Sequence, residues 1–187
     1  MIDRLAEVCR CGCSRYEHST SRGASVPCEA HECPQWQRRP AVIADVDGTL
    51  CDVTSVRHHV LDKPKNFDRF HAESAGCPPH QTAVDWCIDL HRRGNTILVV
   101  TGRMEKWHDV THTWLQQHLP VPFEGPFMRA DGDLRKDVEV KREIHRYLTA
   151  TYDIRAAIDD NPAIIALWEE PGIPVTIVPG WDHERTT

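Results

Sequence analysis

The chain has 187 residues with 40% hydrophobic content, enough to bury the core of one ordinary domain and too much for a wholly disordered polymer. A formal charge of −6 argues against bulk, non-specific nucleic-acid binding. Apolar runs such as Ile97 to Val100 fall far short of the roughly 20 residues that span a bilayer, and no charged-then-apolar leader opens the sequence. A reducing, cytoplasmic setting is the expectation that follows.

The first 39 residues hold five of the eight cysteines and almost no apolar periodicity. Cys9, Cys11 and Cys13, then His18, then Cys28, His31 and Cys33 form two ligand clusters about 15 residues apart. Seven candidates compete for the four positions of tetrahedral zinc. Cys11, His18, Cys28 and Cys33 are the first choice, with Cys13 next. A segment without a core would need Zn²⁺ to fold, so residues 1–39 are expected to be a small zinc-binding appendage.

From Pro40 onward the pattern is that of a second unit, residues 40–187. Ala41–Ala44 and Thr96–Val100 are unbroken apolar strands, and Ile154–Ile158 and Pro174–Val178 look like two more. Between them lie helical stretches. Thr82–Arg93 carries one, and Trp107, Val110, Trp114, Leu115 and His118 form the apolar stripe of another. Val140, Ile144, Tyr147 and Leu148 mark a third, opened by Lys141, and Asn161-Pro162 starts a fourth. After the Trp107–His118 helix the sequence reads as a Pro-rich loop. Strands without polar alternation, separated by helices, predict an α/β fold with a central parallel sheet covered on both faces.

In such a sheet ligands bind beyond the carboxyl ends of the strands, and each strand here ends in chemistry. The first runs into Asp45-Val-Asp47-Gly48, two carboxylates that can point to one side, followed by a glycine that permits a tight turn with free amides. Adjacent carboxylates repel unless a cation offsets them, and Mg²⁺ suits oxygen donors. The second strand ends in Thr101-Gly102-Arg103, a hydroxyl, a flexible backbone and a fixed cation suited to phosphate. Another ends in Asp159-Asp160, and Lys141 offers a second cation.

Asp45-Val-Asp-Gly-Thr-Leu50, Thr101-Gly-Arg103, Lys141 and Asp159-Asp160 resemble motifs I to IV of the haloacid dehalogenase (HAD) superfamily of phosphohydrolases. Met128 to Lys141 with Ala157 to Asp160 is similar, more narrowly, to the phosphatase domain of phage polynucleotide kinase-phosphatases, which act on 3′-phosphates of nucleic-acid ends. The resemblance implies a HAD-like three-layer Rossmannoid fold. It implies Asp45 as nucleophile, Asp47 as general acid/base, and Thr101, Arg103 and Lys141 as holders of the phosphoryl group. Gly102, Arg129, Asp137 and, by a looser alignment, Arg57 match further substrate-binding positions. Mg²⁺ would be held by Asp45, the backbone carbonyl of Asp47, and Asp159 and Asp160, and a viral or bacterial cytoplasmic origin is implied.

No G-x-x-x-x-G-K-[ST] occurs, so the resemblance does not extend to kinase activity. The short segments between motifs predict a minimal cap and an open site, suited to a polymer end. The expected substrate is a phosphorylated nucleic-acid end. A small-molecule nucleotidase and a non-catalytic, zinc-tethered module that binds such ends are the alternatives. Phe67 and Phe70 are equally readable as packing or as base-stacking residues. Trp107, Trp114 and Trp168 read as core.

Overall fold

A computed structural model describes residues 38–61 and 63–179. The expected zinc ligands Cys11, Cys13, His18, Cys28 and Cys33 lie outside the described residues. Five strands form one sheet: β1 (Arg39–Ala44), β2 (Thr96–Met104), β3 (Phe123–Arg129), β4 (Tyr152–Asp159) and β5 (Val175–Ile177). Their order is β3-β2-β1-β4-β5 with parallel pairing. Helices α1 (His58–Leu61), α2 (Phe67–Ser74) and α3 (Gln81–Arg92) link β1 to β2. Helix α4 (His108–His118) leads to β3, α5 (Asp137–Leu148) to β4, and α6 (Pro162–Glu169) to β5.

Alternate residues of the central strands feed two cores, which is why those strands carry no polar face. Val42, Ala44, Ile97 and Val99 pack with Val60, Phe70, Val84, Trp114 and Leu115, so α1 to α4 cover one face. Ala41, Ile43, Leu98 and Val100 pack with Leu148, Ile164, Leu167 and Trp168, so α5 and α6 cover the other. The result is the three-layer α/β fold that the strand–helix alternation predicts. Asn161 caps α6 by accepting from the Ala163 amide at 3.0 Å, with Pro162 in the first turn. Among the described residues no helix is long and apolar enough to cross a membrane.

Two elements differ from expectation. The stretch read as a Pro-rich loop contains β3. It lies at the sheet edge, where a proline without an N–H costs little, and Gly125 at φ +102° takes up a shift in its register with β2. A Cβ at Gly125 would stand 2.7 Å from the Val99 carbonyl oxygen, so the irregularity needs glycine. Helix α5 begins at Asp137, so Lys141 sits one turn inside the helix rather than opening it.

The chain leaves β1 toward β2 and β3, then returns to β4 and β5 on the other side. The reversal falls between β1 and β4, whose ends are joined by the Asp45 amide donating to the Ile158 carbonyl at 3.2 Å. A crevice forms beyond the strand ends at such a switch point.

Candidate active site

That crevice is a cavity of about 1120 Å³. Asp45, Asp47, Arg57, Gly102, Arg103, Arg129, Asp137, Lys141, Asp159 and Asp160 all line it. Residues separated by up to 115 positions in sequence are thus brought together, from Asp45 to Asp160. Thr101 is fully buried and does not line the cavity; its hydroxyl accepts from the Arg103 amide at 3.3 Å.

At the floor, Asp45, Asp159 and Asp160 have carboxylate oxygens within 4.8 Å of one another. Lys141, only 2% exposed, donates to Asp45 Oδ1 at 2.6 Å and to Asp159 Oδ2 at 3.2 Å. Burial alone would lower the Lys141 pKa, but the charges of Asp159, Asp45 and Asp137 outweigh it and hold the ammonium charged. The Asp45 carboxyl is pushed well above its ordinary range by burial, against the pull of Lys141 and with the push of Asp159 and Asp160. Burial and the neighbouring Asp159 likewise raise the Asp160 carboxyl to about 6.

Further contacts hold the floor rigid. Asp159 Oδ1 accepts from the Asn161 amide at 3.0 Å, and the Trp168 indole N–H reaches Asp159 Oδ2 at 3.4 Å. Thr49 donates to Asp160 Oδ1 at 3.1 Å, while Asp160 Oδ2 is buried without a hydrogen-bond partner.

Three carboxylates against one ammonium leave two formal negative charges at the floor. The donors are all hard oxygens, and one buried oxygen is unsatisfied. The set therefore fits a divalent cation such as Mg²⁺. The carboxylate of Asp47 stands outside this cluster. The turn after β1 also differs from expectation: the Gly48 amide donates to the Cys51 carbonyl at 2.9 Å and the Thr49 amide to that of Val46 at 3.3 Å. Those two amides close the turn and are not free for a ligand.

The half-buried Asp47 and the buried Arg103 form a second group. The Arg103 guanidinium donates twice to Asp47, from Nε at 2.9 Å and from Nη2 at 2.6 Å. It also donates to Ser74 at 2.9 Å and to Thr111 at 3.0 Å, and is 2% exposed. Burial would raise the Asp47 carboxyl, but the charge and hydrogen bonds of Arg103 hold it below the ordinary range. The expectation that Arg103 grips a phosphoryl group meets a guanidinium whose donors already serve Asp47, Ser74 and Thr111. It positions the Asp47 carboxylate. Ser74 and Thr111 gave no signal in the sequence, being single hydroxyls inside helices.

Asp137 reaches Lys141 at 3.9 Å and Arg129 at 3.4 Å. Arg129 is held by the carbonyls of Gly102 and Arg135 at 2.9 and 2.6 Å. Gly102 admits this arrangement, because a Cβ there would stand 2.3 Å from Asp137 Oδ1. Arg57 is buried and lines the cavity. In the basic run from Arg135 to Arg146, Arg135 pairs with Asp133 and Glu143, and Arg142 with Glu170, leaving a largely neutralised surface. Trp114 and Trp168 are core as expected, but Trp107 lines the cavity.

Comparison with known proteins gives the family and the fold. Residues 39–182 match the family described as the polynucleotide kinase PNKP phosphatase domain. A protein of Autographa californica nuclear polyhedrosis virus, described as a bifunctional polynucleotide kinase/RNA ligase, is 25% identical over 135 residues, 72% of this chain. Among solved structures, a chain of the Pnkp1/Rnl/Hen1 RNA repair complex superposes with a TM-score of 0.63 at 21% identity, covering 78% of this chain. A class C acid phosphatase from Bacillus anthracis superposes with a TM-score of 0.56 at 15% identity, covering 78% of this chain and 69% of its own. These two share the fold. The chain spans 18% of the length of the viral relative and 44% of that of the repair-complex chain.

Proposed function

The chain belongs to the PNKP phosphatase-domain family, phosphatases of the HAD type, and from that premise we propose that it is a Mg²⁺-dependent phosphomonoesterase that removes 3′-phosphates from nucleic-acid ends. The observation that carries the reading is the joint presence in one cavity of a lysine-held carboxylate, Asp45, and an arginine-held carboxylate, Asp47. Binding alone needs no such pair. The names of the viral relative and of the RNA repair complex support a nucleic-acid substrate, and the cavity exceeds the roughly 300–1,000 Å³ of typical small-molecule pockets.

In the first step an Asp45 carboxylate oxygen attacks phosphorus, forming an aspartyl-phosphate as the ester P–O bond breaks. The departing oxygen takes a proton from Asp47. In the second step Asp47 removes a proton from water as that water attacks the aspartyl-phosphate, which releases inorganic phosphate and restores Asp45. Arg103 keeps Asp47 ionised at rest, the form the second step needs. An anionic phosphate beside it raises its pKa and makes the protonated form accessible for the first. Lys141 fixes Asp45 and places a positive charge beside the reacting centre. Asp137, through Arg129 and Lys141, ties the cationic side chains together. Bound by Asp45, Asp159 and Asp160, Mg²⁺ would supply charge neutralisation between the nucleophile and the phosphate.

The test is phosphate release by the purified protein with Mg²⁺ from a 3′-phosphorylated oligonucleotide, its 5′-phosphorylated twin and a 3′-mononucleotide, with Asp45→Asn as control. Preference for the 3′-oligonucleotide, lost by at least about 10³-fold in Asp45→Asn, is the expected result. Release from the mononucleotide alone would make the protein a nucleotidase. Binding of the oligonucleotide without release from any substrate would leave a recognition module.

A further inference from the structure

The cavity has a wall that the chemistry at its floor does not use. Phe67 opens α2, lines the cavity and is 53% exposed, whereas Phe70 on the same helix is 2% exposed in the core. The Phe67 ring stacks on His71 at 6.2 Å with the planes 29° apart, and the His71 ring meets Trp107 at 5.9 Å. Three rings thus run in a row along one wall. An ammonium flanks each end, Lys65 at 5.9 Å from the Phe67 ring and Lys106 at 5.7 Å from that of Trp107.

The row is held in place. Asn66 caps α2 by accepting from the Arg69 amide at 2.9 Å, Phe70 meets the His71 ring edge-on at 5.1 Å, and Lys106 bridges to Asp68 at 2.5 Å. Those contacts pin two segments 38 residues apart into a single surface. A lone exposed phenylalanine is ordinary. A pre-formed row of rings between two cations, in the same cavity as Asp45, has the character of a platform for a flat, π-faced group attached to an anion.

We propose that the Phe67–His71–Trp107 row is the surface on which the base of the terminal nucleotide stacks while its phosphate reaches Asp45. The inference rests on the nucleic-acid reading of the site. Every base has a π-face, so the platform selects for the presence of a terminal base and is indifferent to which one. Lys65 supplies charge complementary to the backbone phosphates that follow, while Lys106, paired with Asp68, holds the Trp107 end of the row.

The decisive measurement is the ratio of kcat/KM for a 3′-phosphorylated oligonucleotide to that for glycerol 2-phosphate, which carries no ring, no base and no backbone. Phe67→Ala is expected to lower this ratio about tenfold, through KM, and Phe67→Trp to restore it. An oligonucleotide whose 3′-terminal nucleotide is abasic should be disfavoured by wild type to a similar extent, with no additional loss in Phe67→Ala. Equal losses on both substrates in Phe67→Ala, or a ratio that stays at the wild-type value, would overturn the platform alone. A wild-type enzyme that cleaves glycerol 2-phosphate and ignores the oligonucleotide would overturn the nucleic-acid reading, and the platform with it.

Discussion

The floor of the cavity and its aromatic wall are built by different means. At the floor each charged group is buried and leans on another: Lys141 on Asp45 and Asp159, Arg103 on Asp47. These side chains come from the ends of β1, β2 and β4 or from the α5 turn facing them. The wall comes from α2 and the segment before α4, and it presents the exposed Phe67 ring and the half-buried rings of His71 and Trp107, flanked by the ammonium groups of Lys65 and Lys106. Charges enclosed by protein are held to one geometry because leaving any of them unpaired is costly. Uncharged rings carry no such penalty, so the wall is free to vary with substrate while the floor is not.

The contrast is broken most directly at Lys141. Lys141→Met should leave Asp45 and Asp159 buried without their cation, lowering stability by about 3–5 kcal/mol in urea unfolding and abolishing phosphate release. Wall substitutions such as Phe67→Ala should shift stability by less than about 1 kcal/mol. A Lys141→Met protein as stable as wild type would mean that the floor is not the coupled unit described.

Mg²⁺ sharpens the same point. Binding to the folded state alone should stabilise the protein by about 2.7 kcal/mol at a hundredfold excess over Kd, seen as a rise in Tm. Asp160→Asn, which removes the unsatisfied carboxylate, should lose most of that rise. An equal rise in the variant would place the cation elsewhere.

Gly102→Ala should act more weakly, because the group it displaces is the end of the Asp137 side chain. A loss of about 1–2 kcal/mol is expected, with a fall in kcat as the Arg129–Asp137–Lys141 chain loosens. Paired thermal and kinetic measurements would detect both, and unaltered kcat would remove Asp137 from the working site.

The wall carries an effect that depends on pH. Burial pushes the His71 imidazole down to about 4, against about 6.5 in an unfolded chain. The native state binds fewer protons between those values, so this contribution is complete above pH 6.5 and is lost as pH falls through about 4. Wild type should lose stability relative to His71→Phe as pH falls from about 6.5 to about 4, and parallel curves would show that His71 titrates normally.

The floor was legible in the sequence because unbroken apolar strands end abruptly in polar residues, and strand ends in a parallel sheet gather at one edge. Asp45, Asp159, Asp160 and Lys141 follow from that rule together with a family resemblance. The pairing of Arg103 with Asp47 did not follow, because the two stand 56 residues apart and neither carries a local sign of the other. β3 was hidden by Gly125 and Pro126, which read as loop residues and are tolerated only because the strand is an edge. Trp107 looked like core because its helical spacing continues that of Trp114, yet it precedes α4 in a 3₁₀ turn whose direction brings it to the cavity.

The return of the chain from β3 to β4 has a consequence for the order of folding. The hydrogen bond from Thr49 to Asp160 closes a loop of 111 residues, against which the local βα units close much shorter ones. Loop-closure entropy therefore favours β1, β2 and β3 pairing before β4 docks. During synthesis the segment bearing Asp45 emerges long before its partners on α5 and β4, and a nascent chain has Asp45 without the rest of the cavity floor. Phosphatase activity recovered on refolding would then report the last docking event rather than the collapse that precedes it.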